Sequence, residues 1–200
     1  MERTPVSCLS QAACFFLAVA VALSAGCASQ GGLKNVSQES YGTKPSAQSL
    51  VVGTLDVKSP KELGLRMPKL FSAGNKIILR RTSPAGADSA NLFHDVEWGE
   101  GDFYILLDPG KYVIARVEGS FSTLTRTGTF SIPIDIPFEV PENKVIYIGA
   151  IEIKFTLTLL GNIEDKTITV LDKYDDSVKK LGERYPFIRE PVENRSIKTQ

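Results

Sequence analysis

The stretch 132–140 limits the fold more than any other part of the chain. Ile132, Ile134, Ile136, Phe138 and Val140 alternate with Pro133, Asp135, Pro137 and Glu139. A period of two puts one set of side chains in a core and the other in water, the signature of a strand buried on one face. Proline has no N–H to give to a ladder, so two prolines predict an edge or bulged strand.

The same period recurs on both sides of it. Val145, Tyr147, Ile151, Ile153, Phe155, Leu157 and Leu159 fall in one phase, with Gly149 marking a bend or bulge between them. Pro141-Glu142-Asn143-Lys144 and Gly161-Asn162 read as reversals. Residues 103–107 and 111–117 flank Asp108-Pro109-Gly110-Lys111. There proline presets the second turn position and glycine accepts the positive φ of a type II turn, so this is a hairpin signal. Further strands are predicted over 50–57, 76–81, 92–97 and 167–171. The expected fold is mainly β, an antiparallel β-sandwich of seven to eight strands with a short C-terminal α-helix. The helix is announced by Tyr174, Val178, Leu181 and Tyr185 at helical spacing. Asp175, Asp176 and Ser177 serve its start and Pro186 ends it. Its apolar face is expected to pack on the sandwich, and residues 187–200 read as an irregular tail.

Composition narrows the function classes. Hydrophobic residues are 42% and charged residues 23%, enough apolar surface for a packed core without disulfides. Lys plus Arg and Asp plus Glu both number 23, so no net field attracts nucleic acid. The chain has one His and three Cys, which leaves few side chains for metal or nucleophilic chemistry.

The N-terminus carries the most specific motif. Residues 12–23 have no polar side chain, the length of a signal-peptide core and too short to span a bilayer as a helix. Leu23-Ser24-Ala25-Gly26-Cys27 follows. This resembles the lipobox of bacterial lipoproteins, with Leu23 four rather than three residues ahead of Cys27. The resemblance implies cleavage before Cys27 and lipidation of its thiol, so the partner is a membrane reached through lipid on Cys27. Cleavage there would remove Cys8 and Cys14. In a Gram-negative host, Ala28 rather than Asp after the Cys implies an outer-membrane address. Residues 28–49, rich in Ser, Gln and Gly, are expected as a flexible tether holding the domain about 25 Å from the lipid. The expected organisation is thus 1–26 signal peptide, 27–49 lipidated Cys and tether, 50–172 β-sandwich, and 173–200 helix and tail.

The strand, turn and return strand Phe103-Tyr104-Ile105-Leu106-Leu107-Asp108-Pro109-Gly110-Lys111-Tyr112, with Phe138-Glu139-Val140 and Val145-Ile146-Tyr147-Ile148-Gly149 after it, is similar to the transthyretin-like, carboxypeptidase-regulatory-like β-sandwiches. Members of that group serve mainly as binding, spacing or folding modules, so the resemblance implies a non-catalytic domain.

The candidate site residues are few. His94, Asp95, Glu97, Trp98, Glu100 and Asp102 gather the only His, the only Trp and four carboxylates in one short segment. Their spacing matches no calcium loop, so no metal and no cofactor is predicted. Trp98 beside glycines is a candidate sugar-stacking face, with His94 a possible second ligand contact. No Gly-x-Ser-x-Gly elbow and no phosphate loop is present. Lys76, Arg80 and Arg81 form a small basic group, and residues 61–71 an apolar loop. The expected function is a lipid-anchored cell-envelope lipoprotein, not an enzyme, whose sandwich contacts another envelope protein. The alternative is capture of glycan or peptidoglycan fragments around Trp98.

Overall fold

The computed structural model describes residues 33–58, 75–83, 92–96, 101–122, 127–157 and 163–197. In chain order these form α1 (Gln38–Gly42), β1 (Ser49–Lys58), β2 (Asn75–Ser83), β3 (Leu92–Val96), β4 (Asp102–Leu107), β5 (Gly110–Ser122), β6 (Thr127–Val140), β7 (Val145–Leu157), β8 (Ile163–Leu171), α2 (Tyr174–Arg184) and the short β9 (Val192–Asn194). The protein is mainly β, with two sheets and a short C-terminal helix.

One sheet has four strands in the order β3-β2-β5-β6, antiparallel throughout. Its last strand is the one singled out by its alternation. Ile132, Ile136, Phe138 and Val140 are buried, while Pro133, Asp135, Pro137 and Glu139 are exposed. β6 lies at the sheet edge, where its prolines cost no ladder bond, and it carries a bulge. Two steps on β5, from Ile114 to Arg116, face three on β6, from Pro133 to Ile136, and Asp135 takes a φ of 55° there.

The second sheet corrects the antiparallel expectation. Its order is β4-β1-β7-β8, with β9 beside the start of β7. β1 and β7 run parallel from Leu50↔Val145 to Lys58↔Lys154, and β7 and β9 are parallel too. The physical reason lies in β1 and β7 themselves, which are buried on both faces where they begin. Leu50, Val51 and Val52, and Val145 to Ile148, are each at most 2% exposed. Central parallel strands need that double burial.

The phase assigned to β7 also divides. Gly149, at φ 117°, sits in a bulge, since Val52 to Thr54 on β1 faces Tyr147 to Ala150 on β7. A Cβ at Gly149 would lie 2.6 Å from Val170 Cγ1. The extra residue reverses the alternation. Ile151, Ile153 and Phe155 point into the core shared by the two sheets, whereas Val145 and Tyr147 belong to a second core on the other face.

The turn at Asp108 to Lys111 does not close a hairpin. β4 pairs with β1 in the mixed sheet, and β5 pairs with β2 and β6 in the other. The chain therefore changes sheets here. The Tyr112 hydroxyl donates to the Asp108 carbonyl at 2.9 Å, tying the return strand to the turn. The Arg81 guanidinium donates to the carbonyls of Ser83, at 3.1 Å, and Pro109. Residues 141–144 make another passage between sheets, from β6 to β7. Fully buried Ser49 fastens it, donating to the Pro141 carbonyl at 2.6 Å and accepting from the Lys144 amide at 2.8 Å.

A helical layer covers half of the mixed sheet, and it overturns two expectations of irregular chain. Residues 33–48, expected as tether, dock on the sheet. The Val36 amide donates to the Tyr104 carbonyl at 2.7 Å, and the Asn35 carboxamide oxygen accepts from the Tyr104 amide at 2.9 Å. This satisfies the β4 edge without a full strand. Val36 is buried, and Ser37 and Ser40 close a capping box on α1. The expected tail docks as well. Ile188 is buried, β9 pairs with β7, and the Ile197 amide donates to the Ile148 carbonyl at 3.1 Å. Tyr104, Tyr185, Phe187 and Tyr41 touch in succession, with ring centroids 4.9, 5.8 and 5.9 Å apart. Short segments at both ends of the domain supply enough aromatic area to offset the entropy of ordering them.

Candidate functional site

The mixed sheet presents two unlike halves on its outer face. Leu50, Val52, Tyr104, Leu106, Val145 and Tyr147 lie under the helical layer. On the same face further along the strands come Thr54, Asp56, Asp102 and, beyond the β7 bulge, Glu152 and Lys154. α2 carries Lys180 to this border.

The polar half is organised by its lysines. Asp102, with a side chain only 9% exposed, accepts from the Thr54 hydroxyl at 2.8 Å and from Lys180 Nζ at 3.0 Å. Glu152, 11% exposed, meets Lys154 Nζ at 2.7 Å. Asp56 is its neighbour across the parallel ladder. Burying two carboxylates this far costs free energy unless such hydrogen-bonding and charged partners offset it. The result is a row of fixed acceptors and ammonium donors on a rigid sheet, suited to hydrogen-bonding a polar surface.

A cleft of about 530 Å³ opens at the start of α2, lined by Asp172, Lys173, Tyr174, Asp175, Asp176 and Asn194. Asp172 accepts from the Tyr174 amide at 3.1 Å and from the Asn194 side chain at 3.3 Å. Asp175 and Asp176 lie in the first helical turn, where the dipole favours them. Ser177, expected at the helix start, is inside the helix and buried. Beneath the cleft, Tyr147 is fully buried and its hydroxyl accepts from the Lys173 amide at 2.9 Å. Burial pushes the Tyr147 phenol up, against the lowering effect of the Lys173 amide and Ser177 hydroxyl. At the far end of the layer, Lys144 and Arg195 hold the Glu193 carboxyl below its usual range. Among the described residues, no three His, Cys, Asp or Glu converge to hold a metal ion.

The residues singled out by sequence fall elsewhere. His94 lies in β3 on the edge of the four-stranded sheet, opposite Ile77, and Asp95 opposite Lys76. Cys27, Trp98 and the loop 61–71 lie outside the described residues. The basic group separates, because Lys76 and Arg80 are exposed on β2 while Arg81 is bound into the turn between sheets. Of the acidic segment, Asp102 passes into the polar row, and Glu97 and Glu100 lie outside the described residues. Asp56 was detectable only as a polar residue interrupting the outward phase of Leu50 and Val52, and Glu152 reaches the same face only because the bulge at Gly149 reverses the alternation of β7.

Comparison with known proteins finds no family model, no curated protein and no solved structure that matches this chain.

Proposed function

We propose that this is a lipid-anchored envelope lipoprotein whose two-sheet domain, of the transthyretin-like kind, binds another envelope protein and performs no catalysis. The observation that carries the reading is Leu23-Ser24-Ala25-Gly26-Cys27 directly after a twelve-residue apolar run. The polar half of the mixed sheet supports the interaction role, since fixed charges on a rigid surface favour specific encounter over catalysis. Mass spectrometry of the mature N-terminus tests the anchor: an acylated Cys27 is expected, and an unmodified one overturns it. Crosslinking in intact cells tests the partner. A stoichiometric protein product that disappears in Cys27→Ser is expected, and no product from abundant anchored protein counts against it.

The carboxylates and hydroxyl at Thr54, Asp102 and Glu152 also favour a second reading, glycan capture, because sugar hydroxyls pair well with such groups. Titration with envelope glycans should then quench Trp98 fluorescence, and an unchanged signal removes this alternative.

A further inference from the structure

Docking on the domain is already in place at Leu33, much closer to Cys27 than the composition of the N-terminal segment implies. Leu33 is partly buried against the core between the sheets, and Asn35 and Val36 are bonded to Tyr104 of β4. Only residues 28–32 separate Cys27 from Leu33. Fully extended, that link reaches about 20 Å. A domain of this length has a radius of gyration of about 15 Å, so the link is hardly longer than the domain's own radius.

We infer that the domain is held against the bilayer that anchors it, with the β4 edge of the mixed sheet turned to the lipid headgroups. This placement rests on the lipidation of Cys27 proposed above. The occupant of the surface is the headgroup layer itself. Lys34, exposed beside the link, and Arg184, exposed over the rings of Tyr104 and Tyr185 at 6.0 and 5.8 Å, put two cations at this edge. Such cations favour an anionic lipid surface. The opposite edge of the domain is formed by β8 and β6, which are joined by Lys166 Nζ donating to the Pro133 carbonyl at 2.9 Å. That edge faces away from the bilayer and is the one free to meet soluble components.

The test uses the full lipidated chain in vesicles of phosphatidylethanolamine and phosphatidylglycerol doped with nickel-chelating lipid. Nitroxide labels are placed through Glu183→Cys, beside Arg184 and distant in sequence from the anchor, and, on β6, Ser131→Cys, both exposed positions. Relaxation by headgroup nickel should be several-fold stronger at position 183 than at 131. Inserting a long Gly/Ser segment between Gly31 and Gly32 should bring the two values together. Equal relaxation at both positions without the insertion, or no response to it, overturns the placement. The mass of the Cys27 peptide is read on the same sample. A missing lipid overturns the anchor, and with it the placement, and is thus told apart from a lipidated domain that tumbles freely.

Discussion

The two sheets share one core but differ in what lies behind them. Much of the four-stranded sheet turns its back to water, as exposed Lys76, Arg80, Ser131, Pro133, Pro137 and Glu139 show, although Ile78 is buried there. The mixed sheet has a second apolar layer behind its first half and a polar row behind its second. The difference shows how the same ladder chemistry yields two sequence patterns. A strand with one wet face alternates, and a strand with two dry faces does not. Burial on two faces is also what makes the mixed sheet the centre of the domain, with the four-stranded sheet on one side and the helical layer on the other.

That comparison can be broken by truncating side chains in each layer. Ile151, fully buried between the sheets, is expected to give the largest effect. Ile151→Ala should cost about 2–5 kcal/mol, because the cavity lies where both sheets meet. Urea unfolding should show a lower midpoint with an unchanged slope. Leu181, buried in the helical layer, tests whether the second core is a separate cooperative unit. Leu181→Ala should cost about 2 kcal/mol, the low end for such a truncation, because a surface helix can partly collapse into the gap. Hydrogen exchange should accelerate in α2 and residues 33–48 while β5 and β6 keep their protection. Uniform acceleration would mean that the two cores melt as one.

Next in size is the bulge that divides β7 between the two cores. Gly149→Ala puts a side chain at φ 117° and against Val170. The expected cost is about 1–3 kcal/mol. A neutral result would mean that the register of β1 and β7 does not depend on this residue. Smaller again is the tie at the passage between sheets. Tyr112→Phe removes the hydrogen bond to the Asp108 carbonyl and should cost about 1 kcal/mol in the same unfolding experiment.

Where the sequence was readable, the reason is that local chemistry and tertiary environment agreed. β6 alternates, and its prolines sit at an edge. α2 shows its buried stripe at Leu181 and Tyr185, and Gly149 marks a bulge. Local pattern and structure part where the decisive partner is distant. Nothing within 103–112 says that β4 and β5 belong to different sheets, because a tight turn serves a hairpin and a passage between sheets equally well. Nothing within 33–48 or 187–197 announces docking, since Val36, Tyr41, Phe187 and Ile188 are isolated apolar residues whose partners lie on β1, β4 and β7 or on each other. The parallel pairing of β1 and β7 was hinted at by the runs Leu50-Val51-Val52 and Val145-Ile146-Tyr147-Ile148. Those runs also fit a period of two, because one face of each strand does keep it. The polar row was hidden for a related reason: Asp56, Asp102 and Glu152 come from three strands and meet only through the sheet's register and Lys180.

The smallest effect has the most distinctive shape. Tyr41 joins the segment before β1 to the C-terminal segment, through the Phe187 ring and a hydrogen bond to Glu190. Burial, the bond to Glu190 and its charge all push the Tyr41 phenol well above its usual range. Burial pushes Glu190 up, but hydrogen bonds from its own amide, the Tyr41 hydroxyl and the Arg189 amide, with Lys44 nearby, outweigh it and hold the carboxyl below its usual range. A lowered carboxyl contributes stability above its unfolded value and loses it as pH falls through the folded one. A raised phenol contributes stability below about pH 10 and loses it as pH climbs beyond. The stability gap between the protein and Tyr41→Phe should therefore be widest at neutral pH and narrow at both extremes. At its widest it should stay under about 1 kcal/mol, because Glu190 is exposed and solvent screens the bond. Thermal unfolding of both proteins from pH 3 to pH 11 reads this directly. A gap that does not vary with pH would mean that the two segments are joined by ring packing alone and that the helical layer is held by apolar contact rather than by this hydrogen bond.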